Sequence, residues 1–428
     1  MGLRQRLTGL DPQQRDTLLS SGSSFFVYGL SLITGPLLGR ALDTSGRGDL
    51  AAVLVPTQLF AWLATFGIPA ATAYYARTSS RRQLNTSAWF FTVVFGLPAV
   101  AVIWPFVPRF LNDQDPITIG WFRAFLLSGL LILPHYSCLD YLRGRGDNLH
   151  YNALRHLSLL ANTAGVIILA VRGSLTLTSA LQTAFFCNVG GAVIAFAFSG
   201  GWPSREFSYR TFKLQLDYGW RVALGQAAQM ALGRLDQFVM VAMVDSSELG
   251  LYVVAVTAAG VSGAIGSGMA LAVFPHLRAA PDDATRKATL RRGLRWLTLA
   301  SVGLAVLAAA NASWVIPWLF GTEFRGSITP LYILLPGQVC YDLANLISAA
   351  LQAEGRPGAS SRGLTLAAAV TVVFIGFAVS RYGIVGAALV TTASQAAYLV
   401  YVAVAVRRPF TAPPLGDDLE IVAQALTH

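Results

Sequence analysis

The sequence contains few charged residues. Asp, Glu, Lys and Arg together make up 12% of its 428 positions, whereas a soluble domain carries about 25%. Apolar residues account for 54% of the chain and the mean hydropathy is +0.55. This shortage of charge excludes an ordinary soluble globular protein and indicates a polytopic membrane protein.

Cysteine and histidine are also scarce. Cys138, Cys187 and Cys340 lie in apolar runs and form no motif, which predicts packed free thiols and neither disulfides nor ligands. The five histidines show no metal-ligand spacing, so the sequence predicts no metal site and no cofactor. The first apolar run is too long for a signal peptide and has no small-residue cleavage site after it. We therefore expect it to remain as a membrane span.

Long apolar runs extend from one end of the chain to the other. A membrane-spanning helix needs roughly 20 mainly apolar residues, and twelve segments satisfy this requirement. They are residues 18–40, 50–76, 85–110, 117–142, 150–171, 175–199, 217–244, 248–275, 293–320, 328–352, 362–380 and 384–406. The fold class is therefore all-α, with about twelve transmembrane helices.

The distribution of positive charge predicts how these spans are oriented. With the amino terminus in the cytoplasm, cytoplasmic segments hold 23 of the 31 Lys and Arg residues, outer segments hold seven, and Arg234 lies within a span. Positive charge is concentrated in cytoplasmic loops of membrane proteins, so both termini are expected to be cytoplasmic. The net charge of +10 is explained by these loops and does not indicate nucleic-acid binding.

An internal repeat divides the chain. "LDTSGRGDLAAVL" (residues 42–54) resembles "VDSSELGLYVVAV" (residues 244–256) at an offset of 202 residues. Two six-span bundles are predicted, 18–200 and 217–406, joined by a cytoplasmic linker at 201–216 and flanked by cytoplasmic segments 1–17 and 407–428. Because each half has an even number of spans, the halves are parallel repeats, related by a pseudo-two-fold axis along the membrane normal with a substrate site between them.

Three segments resemble a known family. "GRGDLAAVLVPTQLFAWLATFGIPAATAYYARTSSRR", "GRLDQFVMVAMVDSSELGLYVVAVTAAG" and "YGIVGAALVTTASQAAYLVYVAVAVRR" look like parts of the polysaccharide flippases of the multidrug/oligosaccharidyl-lipid/polysaccharide (MOP) exporter superfamily. The resemblance implies that an undecaprenyl-pyrophosphate-linked oligosaccharide is moved to the outer face of the bacterial plasma membrane by alternating access. It also implies a central cationic cavity for the head group, contact with membrane lipids, and glycan polymerase or glycosyltransferase partners.

The seventh predicted span carries a polar stripe. At about 100° per residue, Gln226, Gln229, Asp236 and Gln237 share one face about 100° wide, and Arg234 lies just beyond its other edge. Polar groups facing lipid are costly, so this face is expected to contact either another helix or a wet central cavity. Intramembrane charges favour the cavity.

Arg234 and Asp236 are not expected to form an ion pair. Residues two apart on a helix point about 160° away from each other. Arg234 lies eleven residues from Asp245, about 16 Å along the helix and near the middle of a ~30 Å hydrocarbon core. Two interpretations stay open: Arg234 is paired with Asp342 of the tenth span, or it is free to bind phosphate in a bidentate manner.

Three further arginines are candidates for contact with an anionic substrate. Arg123 of the fourth span lies in reach of a head group in an outward-facing cavity, or extends to the outer interface. Arg155 and Arg221, near the cytoplasmic ends of their spans, would receive the lipid from the cytoplasm, or are ordinary positive-inside charges.

Two other functions compete with a flippase. A cation-coupled exporter of small amphiphiles would belong to the same superfamily, but such relatives often use a first-span carboxylate, and residues 18–40 contain none. A membrane-embedded glycan polymerase or ligase would need catalytic groups on a sizeable outer loop, and the outer loops here are short and lack histidine. The sequence therefore favours a transporter over an enzyme.

Overall fold

The computed structural model describes residues 12–111 and 115–407. Within these ranges every regular element is helical. The predicted segments 1–17 and 407–428 lie largely outside them. In the first half of the chain, up to residue 200, nine α-helices are described: α1 Pro12–Leu63, α2 Ile68–Tyr75, α3 Arg81–Phe91, α4 Leu97–Ile103, α5 Val107–Phe110, α6 Pro116–Gly129, α7 Ile132–Gly144, α8 Asn148–Val171 and α9 Leu177–Ser199.

The second half, from residue 209 onward, contains six described α-helices: α10 Tyr209–Val241, α11 Ser246–Ala259, α12 Gly263–Arg278, α13 Asp283–Phe320, α14 Ile328–Ala353 and α15 Pro357–Arg407. Short 3-10 turns join α11 to α12 and α13 to α14. Helices dominate because a lipid environment offers the backbone no hydrogen-bonding partner, so each segment must satisfy its own N–H and C=O groups.

The described helices include eight that are long and apolar enough to cross a membrane, and the bent pair Gly29–Leu63 and Ile68–Tyr75 makes a ninth when counted as one span. Helix α10, which carries the seventh predicted span, is not among them. Its amide and charged side chains lower its mean hydropathy below that of the other long helices. The twelve predicted segments lie mainly, but not entirely, on helical residues of the described chain.

Two of the long helices are broken where the sequence predicts loops. Asp43 interrupts α1 with φ 57°, and its Oδ1 accepts a hydrogen bond of 3.0 Å from the amide of Gly46. Gly383 interrupts α15 with φ 54°, a backbone conformation that glycine adopts without steric cost. Each break separates two predicted spans, 18–40 from 50–76 and 362–380 from 384–406.

The two predicted repeat segments pack directly against each other. A Cβ atom on Gly48 would overlap the carbonyl oxygen of Ser246, and one on Gly250 would overlap the carbonyl oxygen of Thr44. These two contacts are related by the predicted offset of 202 residues. The Thr44 and Ser247 hydroxyls lie 2.8 Å apart. We call this contact between residues 42–54 and 244–256 the seam.

The largest hydrophobic core joins the two halves at the seam. It contains side chains from both halves, including Leu50, Phe122, Tyr252 and Phe320. Four smaller clusters lie towards the opposite end, and three of them draw on a single half; the fourth combines first-half residues with Phe212 of α10. We call that opposite end the basic end, because most of the arginines predicted to be cytoplasmic lie there.

A second contact joins the halves at the basic end. Gly67 has a left-handed conformation with φ 71° and lies close to Gly219. A Cβ atom on Gly67 would overlap the carbonyl oxygen of Gly219, and one on Gly219 would crowd the carbonyl carbon of Gly67. Tyr74 stacks on Tyr218 with ring centroids 4.7 Å apart. The halves are therefore in contact at both ends, at the seam and at the basic end, where α10 also packs against α2 and α3.

We predict that Gly250→Ala destabilises the protein by about 1–3 kcal/mol, because the added methyl group forces the two backbones of the seam apart. Gly376→Ala is the matched control: it is also on a helix, but no atom lies within 4 Å of its Cβ position. The measurement is thermal unfolding of the detergent-solubilised protein. Equal melting temperatures for the two variants would contradict close packing at the seam.

Candidate functional site

Helix α10 carries the polar residues of the seventh predicted span. It begins after Ser208, whose side chain caps the helix by accepting a hydrogen bond from the amide of Thr211. It then continues for 33 residues, as far as Val241. This single uninterrupted helix places Arg234 and Asp236 at fixed angles to each other, and they form no ion pair within 4 Å in the described chain.

Asp236 is buried in a hydrogen-bond network that joins three helices. Its Oδ2 accepts a 2.6 Å bond from the hydroxyl of Tyr252 on α11 and a 3.0 Å bond from the hydroxyl of Thr391 on α15. Its Oδ1 accepts a 2.8 Å bond from the amide of Gln237. Neutral donors thus satisfy this carboxylate, which is only 4% exposed.

Arg234 has little to balance its charge. Its Nη1 donates one long hydrogen bond of 3.4 Å to Oε1 of Gln237, and the side chain is exposed. No carboxylate of the described residues lies within 4 Å of its guanidinium group.

A second arginine acts on Arg234 from the first half. Arg47 lies in the seam, one turn after the break at Asp43, and its guanidinium group is within electrostatic range of that of Arg234. The Nε of Arg47 is buried and has no hydrogen-bond partner among the described residues. Nearby Asp49 instead accepts a 2.5 Å bond from Ser246. Neither guanidinium group is therefore paired with a carboxylate of the described residues, and the two lie within electrostatic range of each other between the halves.

Asp342 is not the partner of Arg234. It is only 1% exposed, and it accepts hydrogen bonds of 2.9 Å from Gln338 and 3.2 Å from Ser301, with a further bond from Ser262. Serine and amide groups, and not the guanidinium group of Arg234, donate to Asp342 because α14 directs this side chain towards α12 and α13. Asp236 and Asp342, both expected in the central cavity, are thus engaged with protein in this conformation.

The other predicted residues are distributed over both halves. Gln226 is half-buried, Gln229 is exposed and Gln237 is buried, so the predicted stripe divides between open space and a packed interface. Arg123 lies over the ring of Trp104, 5.1 Å from its centroid. Arg155 lies 5.7 Å from the ring of Tyr151, and Arg221 is exposed near the Tyr74–Tyr218 stack.

Sequence reasoning missed three members of this site. Arg47 is one of the seven arginines predicted to lie in outer segments, and its place in the repeat segment 42–54 was the signal that it lies at a junction. Tyr252 and Thr391 give no sign in the sequence that they donate to Asp236, because single hydroxyls in apolar helices are common. Cys138, Cys187 and Cys340 are free thiols, as predicted.

The fold is that of the MOP superfamily of membrane transporters. The lipid II flippase MurJ in an inward closed conformation superimposes with a TM-score of 0.72 at 13% identity, covering 96% of this chain and 91% of that one. An inward-facing multidrug resistance MATE family transporter of the MOP superfamily gives a TM-score of 0.66 at 15% identity, covering 96% of each chain. An outward-facing MATE family structure gives 0.62 at 17% identity, covering 99% of each chain.

More than half of the chain matches one protein family. Residues 14–279 match the family described as polysaccharide biosynthesis protein, which is more than half of the chain, and the chain belongs to that family. A search of the curated protein sequences found no match to this chain. The chain is a multi-pass membrane protein of the flippase and transporter class, as its composition and the three family-like segments predicted.

We predict that Tyr252→Phe lowers the stability of the protein by about 1–3 kcal/mol, because it leaves the buried Asp236 carboxylate without its shortest donor. The measurement is the melting temperature in detergent. Tyr209→Phe is the control, since Tyr209 is 70% exposed. Identical melting curves for the two variants would show that the Asp236 network contributes nothing to stability.

Proposed function

We propose that this protein is a flippase for a lipid-linked oligosaccharide. Its substrate would be an oligosaccharide on undecaprenyl pyrophosphate, carried from the cytoplasmic to the outer leaflet of the bacterial plasma membrane for assembly of cell-surface or exopolysaccharide. Membership of the polysaccharide biosynthesis family and the MOP fold support a transporter of this type. The observation that carries the proposal is the pair of uncompensated guanidinium groups of Arg47 and Arg234.

These two cations have the chemistry of a pyrophosphate site. An intramembrane charge without a partner is costly, and two like charges that repel each other cost more. A pyrophosphate supplies several anionic oxygens, and the planar fork of each guanidinium can engage them in a bidentate manner. Substrate binding would thus convert an unfavourable arrangement into a neutralised one, and release of the substrate would restore the repulsion.

The arrangement of the halves supports alternating access. We infer twelve spans in two bundles, 18–200 and 217–406, related by a pseudo-two-fold axis, with the linker 201–216 and both termini in the cytoplasm. The exchanged contacts Gly48–Ser246 and Gly250–Thr44 support this symmetry, and the loop charges support the orientation. Opening the seam would expose the two arginines to the outer face, and opening the Gly67–Gly219 contact would expose them to the cytoplasm.

A cation-coupled exporter of small amphiphiles is the second candidate, because MATE family transporters share the fold. Two observations favour the flippase over it. Residues 18–40 contain no carboxylate, and the charge left uncompensated between the halves is positive, which suits an anionic substrate and repels a cationic one.

We predict that Arg234→Ala and Arg47→Ala each reduce export of the cognate polymer by at least about tenfold, because each removes a charged hydrogen-bond donor worth about 1.5–3 kcal/mol. Arg234→Lys should retain part of the activity, since it keeps the charge and loses the fork. The measurement is surface polymer in a strain lacking the chromosomal gene and expressing each variant, together with lipid-linked repeat units trapped on the cytoplasmic face.

Arg172→Ala is the matched control, because Arg172 is exposed and follows the last residue of α8, outside both segments of the seam. It should export polymer at the wild-type level. Wild-type polymer yield from well-expressed Arg47→Ala and Arg234→Ala variants would overturn the proposed head-group site. Normal polymer in the deletion strain would overturn the proposed function itself.

A further inference from the structure

A separate cavity lies inside the first half of the chain. Its walls come from α1, α6, α7, α8 and α9, and its volume is about 480 Å³, within the roughly 300–1,000 Å³ typical of ligand-binding pockets. Neither Arg47 nor Arg234 lines it. This first-half cavity is therefore distinct from the cationic pair between the halves.

The first-half cavity is lined by polar side chains that lack protein partners. The Nδ1 of His135 and the Oδ1 of Asn162 are buried without a hydrogen bond among the described residues, and His135 is only 9% exposed. Gln58 and Asn188 line the same walls and make no side-chain hydrogen bond in the described chain. Buried polar groups are almost always satisfied, so His135 and Asn162 call for an occupant with hydrogen-bonding groups, and the exposed amides of Gln58 and Asn188 are available to the same occupant.

An aromatic pair borders the same space. The rings of Trp62 and Tyr136 lie 4.6 Å apart between centroids, tilted by 45°, and both residues line the cavity. Indole and phenol rings combine an apolar face with a polar edge. That surface complements the C–H face of a pyranose ring, whose hydroxyl groups project from its rim.

The polar groups suit the hydroxyl groups of a sugar. An amide side chain offers two N–H donors and a carbonyl acceptor, so Asn162 and Asn188 can both donate to and accept from neighbouring hydroxyls. Arg155 adds a positive charge to the lining, and no carboxylate lines the cavity. By contrast, the cavity between α1, α11 and α13 is lined mainly by apolar side chains such as Leu304 and Val315.

We infer that the first-half cavity is an oligosaccharide-binding site. It holds two or three sugar residues of the transported molecule, with a pyranose on the Trp62–Tyr136 face and the amides on its hydroxyls, while Arg47 and Arg234 hold the pyrophosphate. The assignment of the sugars and the pyrophosphate to two separate sites rests on the proposed function, although sugar binding by the cavity can be measured without transport.

The test uses the purified full chain in detergent and three phosphate-free trisaccharides: maltotriose, chitotriose and trigalacturonic acid. Native mass spectrometry should show saturable binding of at least one of them to the wild-type protein. Trp62→Leu and Asn162→Leu should each weaken that binding by about tenfold, the loss expected for one stacking face or one hydrogen-bonding amide. Melting curves of each variant establish that it is folded.

Trp296→Leu and Gln352→Leu are the matched controls. Both residues are exposed and neither lines the cavity, so trisaccharide binding should be unchanged. Absence of saturable binding to the wild-type protein, or equal binding by folded Trp62→Leu and Asn162→Leu variants, would overturn the inference. Because the probes carry no phosphate, such a result leaves the export defect of the Arg47 and Arg234 variants as an independent test of the proposed function.

Discussion

The two halves of the chain meet backbone to backbone at the seam, and the rest of the arrangement depends on that close approach. Glycine at positions 48 and 250 lets each helix lie directly against a carbonyl oxygen of the other half, as small residues do in membrane helix interfaces. Arg47 is the neighbour of Gly48. The packing that brings Gly48 against Ser246 therefore also brings a first-half guanidinium close to Arg234 of the second half.

Charge in this interface is unbalanced because the carboxylates are used elsewhere. Tyr252, Thr391 and a backbone amide satisfy Asp236, while Gln338 and two serines surround Asp342. Had either carboxylate faced Arg234, an internal ion pair would have cancelled the positive charge. Neutral donors hold both acids in the packed interior of the second half, so the cations remain available to an anionic ligand.

A lipid-linked oligosaccharide has three chemically different parts: the lipid, the pyrophosphate and the sugars. The protein has side chains suited to the pyrophosphate and to the sugars, at two separate places. The proposed pyrophosphate site lies between the halves, where opening of the seam or of the basic-end contact would expose it. The inferred sugar site lies within one half, where its geometry need not change as the halves move. Such a separation would let the sugar stay bound while the head-group site changes the side from which it is accessible.

Much of this could be predicted from the sequence, because it depends on local properties of the chain. Apolar runs set the positions of the helices, turn residues at Asp43 and Gly383 set the breaks, and the spacing of Arg234 and Asp236 on one helix excluded an ion pair between them. Contacts between distant segments could not be predicted. Arg47, Tyr252 and Thr391 join the site from residues far from Arg234 in the sequence, and Asp342 faces serines instead of an arginine. Helical geometry determines which way a side chain points, but only the packing of one helix against another determines what it meets.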